Sequence, residues 1–224
     1  MASSGIKTVH LDLPASTADL AKLELGNVVY LKGRIFTARE GAYKRAIEDG
    51  AGMPAPPSAL GTVNFHCSPA ARQNTDGSYT VGAVTATASF RFAKYMHSWL
   101  NLSGCNIIIG KAGMTSERYR RDFVPNKATY LTTVGYGTGA LLGRGIKSVA
   151  GVYWMQELGL AQAVWALDVE NFGPFIVEGD IAGNSLFERE NAKMAPAIKA
   201  LYADSRPPAL RRYGETDDKT EELI

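Results

Sequence analysis

The chain has 224 residues, 46% hydrophobic and 21% charged, which suits one large domain or two small ones and excludes a disordered protein. Lys and Arg number 24 against 22 Asp and Glu, a formal net charge of +2, so no broad cationic face and no nucleic-acid partner are expected. Cys67 and Cys105 form no CxxC pair, which excludes a disulfide scaffold and any metal site built from this chain's thiols alone. His10, His66 and His97 are equally scattered and are read as isolated structural or surface histidines. The start, MASSGIKTVHLDL, lacks the charged and apolar regions of a secretion signal. No apolar run approaches the roughly 20 residues that cross a bilayer, so no membrane association and a cytoplasmic location are expected.

Taken in chain order, Thr8 to Leu13 reads as a short strand and Ala15 to Leu23 as a helical turn or two. Asn27 to Ala38 is rich in Val, Ile, Tyr and Thr and reads as a strand pair or a strand bent around Gly33. Arg39 to Asp49 has helical composition, with Gly50 placed to stop it, and Met53 to Ser58 is a Pro-rich loop. Leu60 to His66 and Ser78 to Ala86 read as strands flanking the polar turn 74–77. Ser89 to Leu100 carries an i, i+3, i+4, i+7 stripe at Phe92, Tyr95, Met96 and Trp99, whose plain meaning is a core-facing helix.

A strand from Cys105 to Ile109 ends at Gly110-Lys111; a helix near Ser116 to Phe123 and a strand from Thr129 to Val134 follow. Ala163 to Val169 and Phe175 to Val177 read as further strands, and Asn184 as the cap of a helix towards Tyr202. This mixture predicts one α/β domain over residues 1–203, with a charged tail or oligomer arm over 204–224.

Local motifs taken singly name no reaction. Gly135 to Gly145 is the densest glycine run, and its first six residues fit GxGxxA, so a dinucleotide-binding enzyme is one alternative, with a tight turn for close packing the commoner use. Gly110-Lys111 lacks the remainder of a P-loop. Arg118, Arg120 and Arg121 around Tyr119 read as a solvated helix face rather than an RNA contact.

Four separated elements become specific when read together and in order. They are Gly33 with Thr37-Ala38-Arg39-Glu40 and Tyr43-Lys44-Arg45; Thr85-Ala86-Thr87-Ala88-Ser89-Phe90-Arg91; Ile109-Gly110-Lys111-Ala112-Gly113-Met114; and Val164-Trp165 with Val169-Glu170-Asn171-Phe172-Gly173-Pro174, Asp180 and Gly183-Asn184. Over about residues 25 to 200 the chain resembles the β subunit of two-subunit iron–sulfur hydro-lyases, the L(+)-tartrate dehydratase and class I fumarase family. In single-chain class I fumarases the same unit is the C-terminal domain.

The resemblance implies a three-layer β/β/α swivelling domain docked on an α subunit in an αβ or (αβ)₂ assembly. It implies that the α subunit carries a [4Fe–4S] cluster, that this chain binds no cofactor, and that the reaction removes water from, or adds it to, a hydroxy-dicarboxylate. Residue by residue, it implies that Arg39 and Arg91 clamp substrate carboxylates, as guanidinium forks suit. Lys111 would add positive charge, and Thr87 would be the proton-abstracting hydroxyl, which needs nearby cations to stabilise its alkoxide. Glu40 stands where the family has Asp, Tyr43 where it has His, Thr85-Ala86 where it has Gly-Pro, and Ala88 where it has a second Thr or Ser, with Ser89 as the substrate-binding substitute. The expected substrate is a tartrate- or malate/fumarate-like acid, and these departures leave open another hydroxy acid, or a subunit-interaction domain without catalysis.

Overall fold

A computed structural model describes residues 6–135 and 137–203; the tail expected over 204–224 lies outside the described residues. The chain divides into two compact units, residues 1–189 and 190–224. Among the described residues nine strands are β1 (Thr8–Asp12), β2 (Val28–Thr37), β3 (Val63–Phe65), β4 (Cys67–Gln73), β5 (Tyr79–Ala86), β6 (Ile107–Gly110), β7 (Thr129–Thr133), β8 (Ile146–Tyr153) and β9 (Val164–Gly179). The same residues hold eight α-helical segments, α1 (Thr17–Leu20), α2 (Glu40–Tyr43), α3 (Pro57–Leu60), α4 (Met96–Ser103), α5 (Ser116–Arg118), α6 (Gly139–Arg144), α7 (Met155–Leu158) and α8 (Leu186–Leu201). α2 and α5 run on as π-helical turns, Lys44–Glu48 and Tyr119–Phe123, and a 3₁₀ stretch, Ser89–Tyr95, leads into α4.

Seven strands form one sheet in the order β1-β2-β3-β6-β7-β9-β8, and β4-β5 form a second, two-stranded sheet. β1, β2, β3, β6 and β7 pair in parallel, while β9 is antiparallel to β7, β8 and β2. Phe175 and Ile176 face Val29 and Val28 on one side and Thr133 and Thr132 on the other, so the pairing of β2, β3, β6, β7 and β9 closes on itself. Parallel strands with both faces covered read as near-continuous apolar runs, which is how Ile107-Ile108-Ile109 reads. The expected α/β class, with two sheets and packed helices, is what the chain adopts.

Period-two alternation sends neighbouring residues into two separate cores. Val63, Phe65, Ile107, Ile109 and Leu131 join Val29, Trp165, Phe172 and Phe175 in the first. Ile108 and Tyr130 join Phe36, Tyr43, Phe92, Trp99 and Phe123 in the second, beneath the helices. The bend expected in the second strand is present: β2 shifts register against β9 around Leu31 and Gly33. Gly33 has φ +131°, and a Cβ there would lie 2.8 Å from the Leu13 Cβ, so only glycine lets the two chains pass.

Several boundaries differ from expectation for identifiable reasons. Pro57 starts the short helix α3, so the strand expected from Leu60 begins only at Val63. The hairpin partner of β5 is β4, whose Ser, Pro, Ala and Arg residues carry no strand signal and which belongs to the small outlying sheet. The two strands expected within 163–177 are one 16-residue strand, β9, and β8 was not foreseen. Ser185 rather than Asn184 caps α8, its hydroxyl accepting the Glu188 N–H at 3.2 Å, while Asn184 is held by Asp180. In the second unit the described helix is tied internally by Lys193 to Glu190 at 2.9 Å. No helix of the described residues is long and apolar enough to cross a membrane.

Candidate active site

Parallel α/β sheets present ligand crevices beyond the carboxyl ends of their strands, where loops diverge. Arg39 follows β2 by two residues, His66 follows β3 by one, and Lys111 follows β6 by one. At this end β3 and β6 part, and residues 87–89, arriving from β5, fill the split. Thr87 N–H donates to the His66 carbonyl at 2.6 Å, Lys111 N–H to the Thr87 carbonyl at 3.2 Å, and Ser89 N–H to the Lys111 carbonyl at 3.2 Å. Ala88 and Lys111 form an isolated parallel bridge. Thr87 and Lys111, 24 positions apart in sequence by subtraction, are therefore locked backbone to backbone.

Two arginines flank that lock. Arg39 Nη1 donates to Ser68 Oγ at 2.9 Å, at the start of β4. Arg91 Nη2 lies 3.8 Å from Glu40 Oε2, and Glu40 also meets Lys44 at 3.2 Å. These pairs are roughly half exposed, so the Glu40 contact is a weak one. Lys111 is half-buried beside a small cavity lined by Thr85, Thr133, Thr138 and Gly139. Arg39, Thr87, Arg91 and Lys111 thus emerge at the same end of the sheet.

Ser89 requires a correction. Its hydroxyl is fully buried and turned inward, 2.7 Å from His66 Nδ1 and 2.7 Å from the Tyr130 hydroxyl, so it is not available to a substrate as expected. His66 is likewise no isolated histidine: its Nε2 lies 2.6 Å from the Tyr43 hydroxyl, and burial pushes its pKa down to about 3. Tyr43 further meets Asn64 Oδ1 at 2.8 Å, and Trp99 Nε1 donates to the same oxygen at 3.1 Å. Asn64 and Tyr130 were not singled out by sequence, and neither Tyr43 nor His66 was linked to the other. The available signal was Val63-Asn64-Phe65-His66, a strand whose alternate positions are apolar on one face and polar on the other.

The remaining motifs serve packing. Cβ atoms at Gly139, Gly143 and Gly145 would lie 2.9 Å from Thr85 Oγ1, 2.3 Å from the Gly82 carbonyl oxygen and 2.9 Å from Phe172, so these three glycines let α6 sit against β5 and β9, whereas Gly135 and Gly137 face open space. Arg121 grips the buried Asp122 carboxylate through Nε at 2.7 Å and Nη2 at 2.8 Å, with Arg118 at 3.7 Å, so these arginines are committed within the fold.

The chain's thiols do not fit an iron–sulfur cluster. Cys67 belongs to the first core and Cys105 to the second, both are buried, and burial pushes the Cys105 thiol up to about 12 and Cys67 further up. Among the described residues, no group of three or more His, Cys, Asp or Glu side chains is placed to hold a metal ion.

Comparison with known proteins identifies the family. The family model described as Fumarase C-terminus matches residues 1–190. A Methanocaldococcus jannaschii protein, provisionally named L(+)-tartrate dehydratase subunit beta, is 35% identical over 82% of this chain and 93% of its own length. The Escherichia coli K12 L(+)-tartrate dehydratase subunit beta is 30% identical over 92% of this chain and 95% of its own. A Geobacillus stearothermophilus protein, provisionally named fumarate hydratase class I, is 28% identical over 81% of this chain, which spans 34% of that longer protein. The chain therefore belongs to the fumarase C-terminus family of hydro-lyase subunits.

Proposed function

We propose that this hydro-lyase subunit supplies the cationic half of an active centre that removes water from, or adds it to, a hydroxy-dicarboxylic acid, working with an α subunit. The observation that carries the reading is the convergence of Arg39, Thr87, Arg91 and Lys111 at one end of the sheet, out of three separate stretches of sequence. Arg39 and Arg91 hold the two carboxylates; planar forks accept them bidentately and orient the carbon that loses its proton. Glu40 gives up Arg91 when the substrate arrives. Thr87, as an alkoxide that has first released its own hydroxyl proton to solvent, takes that proton and returns to the neutral hydroxyl. Its hydroxyl is a weak base, so the Lys111 and Arg91 charges serve to stabilise the alkoxide. The backbone bonds that pin Thr87 to His66 and Lys111 reduce the reorganisation this step requires.

Departure of the hydroxyl belongs to the partner's side of the centre. The reading assigns a [4Fe–4S] cluster to that partner, in keeping with thiols here that cannot reach one. The test is reconstitution. The purified chain alone should hold no iron and dehydrate nothing, whereas co-expression with an α-type subunit should yield a brown, oxygen-sensitive complex active on a hydroxy-dicarboxylate. Arg91→Ala should raise KM and lower kcat/KM by about a hundredfold, the loss of a charge-assisted bidentate contact. Full activity of that variant on every accepted substrate would remove Arg91 from the clamp.

A further inference from the structure

We infer that His66 is a positioning residue: a neutral imidazole protonated on Nε2, through which the buried hydroxyls of Tyr130, Ser89 and Tyr43 hold residues 87–89 in the split between β3 and β6. Its effect on turnover rests on the reading above; the hydrogen-bond chain itself does not.

The direction of every hydrogen in that chain follows from one end. The Trp99 indole N–H can only donate, and it points at Asn64 Oδ1, 3.1 Å away. The Asn64 amide nitrogen in turn donates to the Phe36 carbonyl at 3.4 Å, which fixes the amide's orientation. The oxygen facing Tyr43 at 2.8 Å bears no hydrogen, so Tyr43 must donate to it. Tyr43 has one hydrogen, now committed, so the 2.6 Å contact to His66 requires the proton on His66 Nε2. A neutral ring then leaves Nδ1 bare, and Ser89 must donate to it across 2.7 Å. Ser89 accepts in its turn from Tyr130 at 2.7 Å.

The resulting order, Tyr130 to Ser89 to His66 to Tyr43 to Asn64, leaves no donor in the chain without an acceptor. A second proton on His66 would strand the Ser89 hydrogen, and burial opposes it independently.

The same residues hold the loops of the candidate site. His66 meets Ser89 with its ring and Thr87 with its carbonyl, and Ser89 donates its own N–H to Lys111. Gly110, just before Lys111, is where the chain crosses: a Cβ there would lie 1.8 Å from Ser89 Oγ and 2.6 Å from the Tyr130 hydroxyl. The hydrogen-bonded side chains therefore clamp Thr87 and Lys111 from below.

The test has one arm on the free chain and one on the assembled enzyme. In ¹⁵N-histidine NMR of the whole chain, His66 should stay a neutral Nε2–H tautomer from about pH 5 to about pH 9. An Nδ1–H signal, or a titration in that range, would overturn the proposal. Ser89→Ala should speed amide exchange at Thr87 and Lys111 about tenfold or more relative to Ile107 and Leu131 in the first core. Uniform acceleration would reduce the role of Ser89 to general stability and refute the clamp.

In the complex with the α subunit, Tyr130→Phe, which leaves every remaining buried group paired, should lower kcat about tenfold with KM little changed. Unchanged kcat beside the exchange effect would deny His66 any positioning role in turnover. A wild-type complex inactive on all hydroxy acids would instead sink the proposed function, leaving the tautomer and exchange results to judge the chain.

Discussion

β3, β6 and β7 each feed two cores, and the two are built on different principles. On one face Val63, Phe65, Ile107 and Ile109 bury hydrocarbon alone. On the other, Asn64, His66 and Tyr130 bury polar groups that are joined to Tyr43, Ser89 and Trp99. The first depends on volume, because a dry core loses transfer energy and gains a cavity when truncated. The second depends on partners, because a buried polar group costs most when its bond is removed. The polar core is also the one beneath residues 87–89 and 111, so the fold places its directional bonds where loop geometry matters and its undirected packing elsewhere.

Substitutions can separate the two. The largest loss is expected for Trp165→Ala in the first core, about 3–5 kcal/mol by chemical denaturation, since it empties a fully buried site and frees the Leu160 carbonyl. A smaller loss than for the polar-core changes below would erase the contrast. Gly110→Ala should cost about 3 kcal/mol, overpacking at the point where Ser89 and Tyr130 meet, and should disturb Thr87 and Lys111 amide signals first.

Acid should strike the polar core selectively. The folded His66 pKa lies near 3 against 6.5 unfolded, so its contribution is complete above pH 6.5 and is lost as pH falls towards 3. The slope is about 1.4 kcal/mol per pH unit, or about 2 kcal/mol by pH 5. His66→Gln should flatten that part of the stability profile, and an unchanged slope would assign it to other groups. Tyr130→Phe should be mildest, about 1 kcal/mol for one hydrogen bond at almost constant volume.

How far the sequence was legible differs between these regions. β2 announced its bend through Gly33, and Ile107 to Gly110 announced a buried strand ending at Lys111, because period and composition are local properties. β4 was illegible because Ser68, Pro69 and Ala70 pair with β5 without any strand preference of their own. β9 was split in expectation at Asn171-Phe172-Gly173-Pro174, since those residues break strands locally. Pairing with β2 and β7 on either side carries the strand through them. Arg39, Thr87, Arg91 and Lys111 could be picked out because together they resemble a family pattern, whereas His66 gave no sign of its partners.

The amino-acid order alone determined the α/β class, most of the strands and the wide separation of the two cysteines, since each follows from residue type and spacing, whereas the cationic residues came only from the family resemblance. Only the folded chain decided that Ser89 faces inward, that Gly139, Gly143 and Gly145 serve packing, and that His66 lies between Tyr43 and Ser89. Those outcomes depend on contacts between residues such as Ser89 and Tyr130, 41 positions apart. A hydroxyl's direction is set by the partners that reach it, and local sequence does not name them.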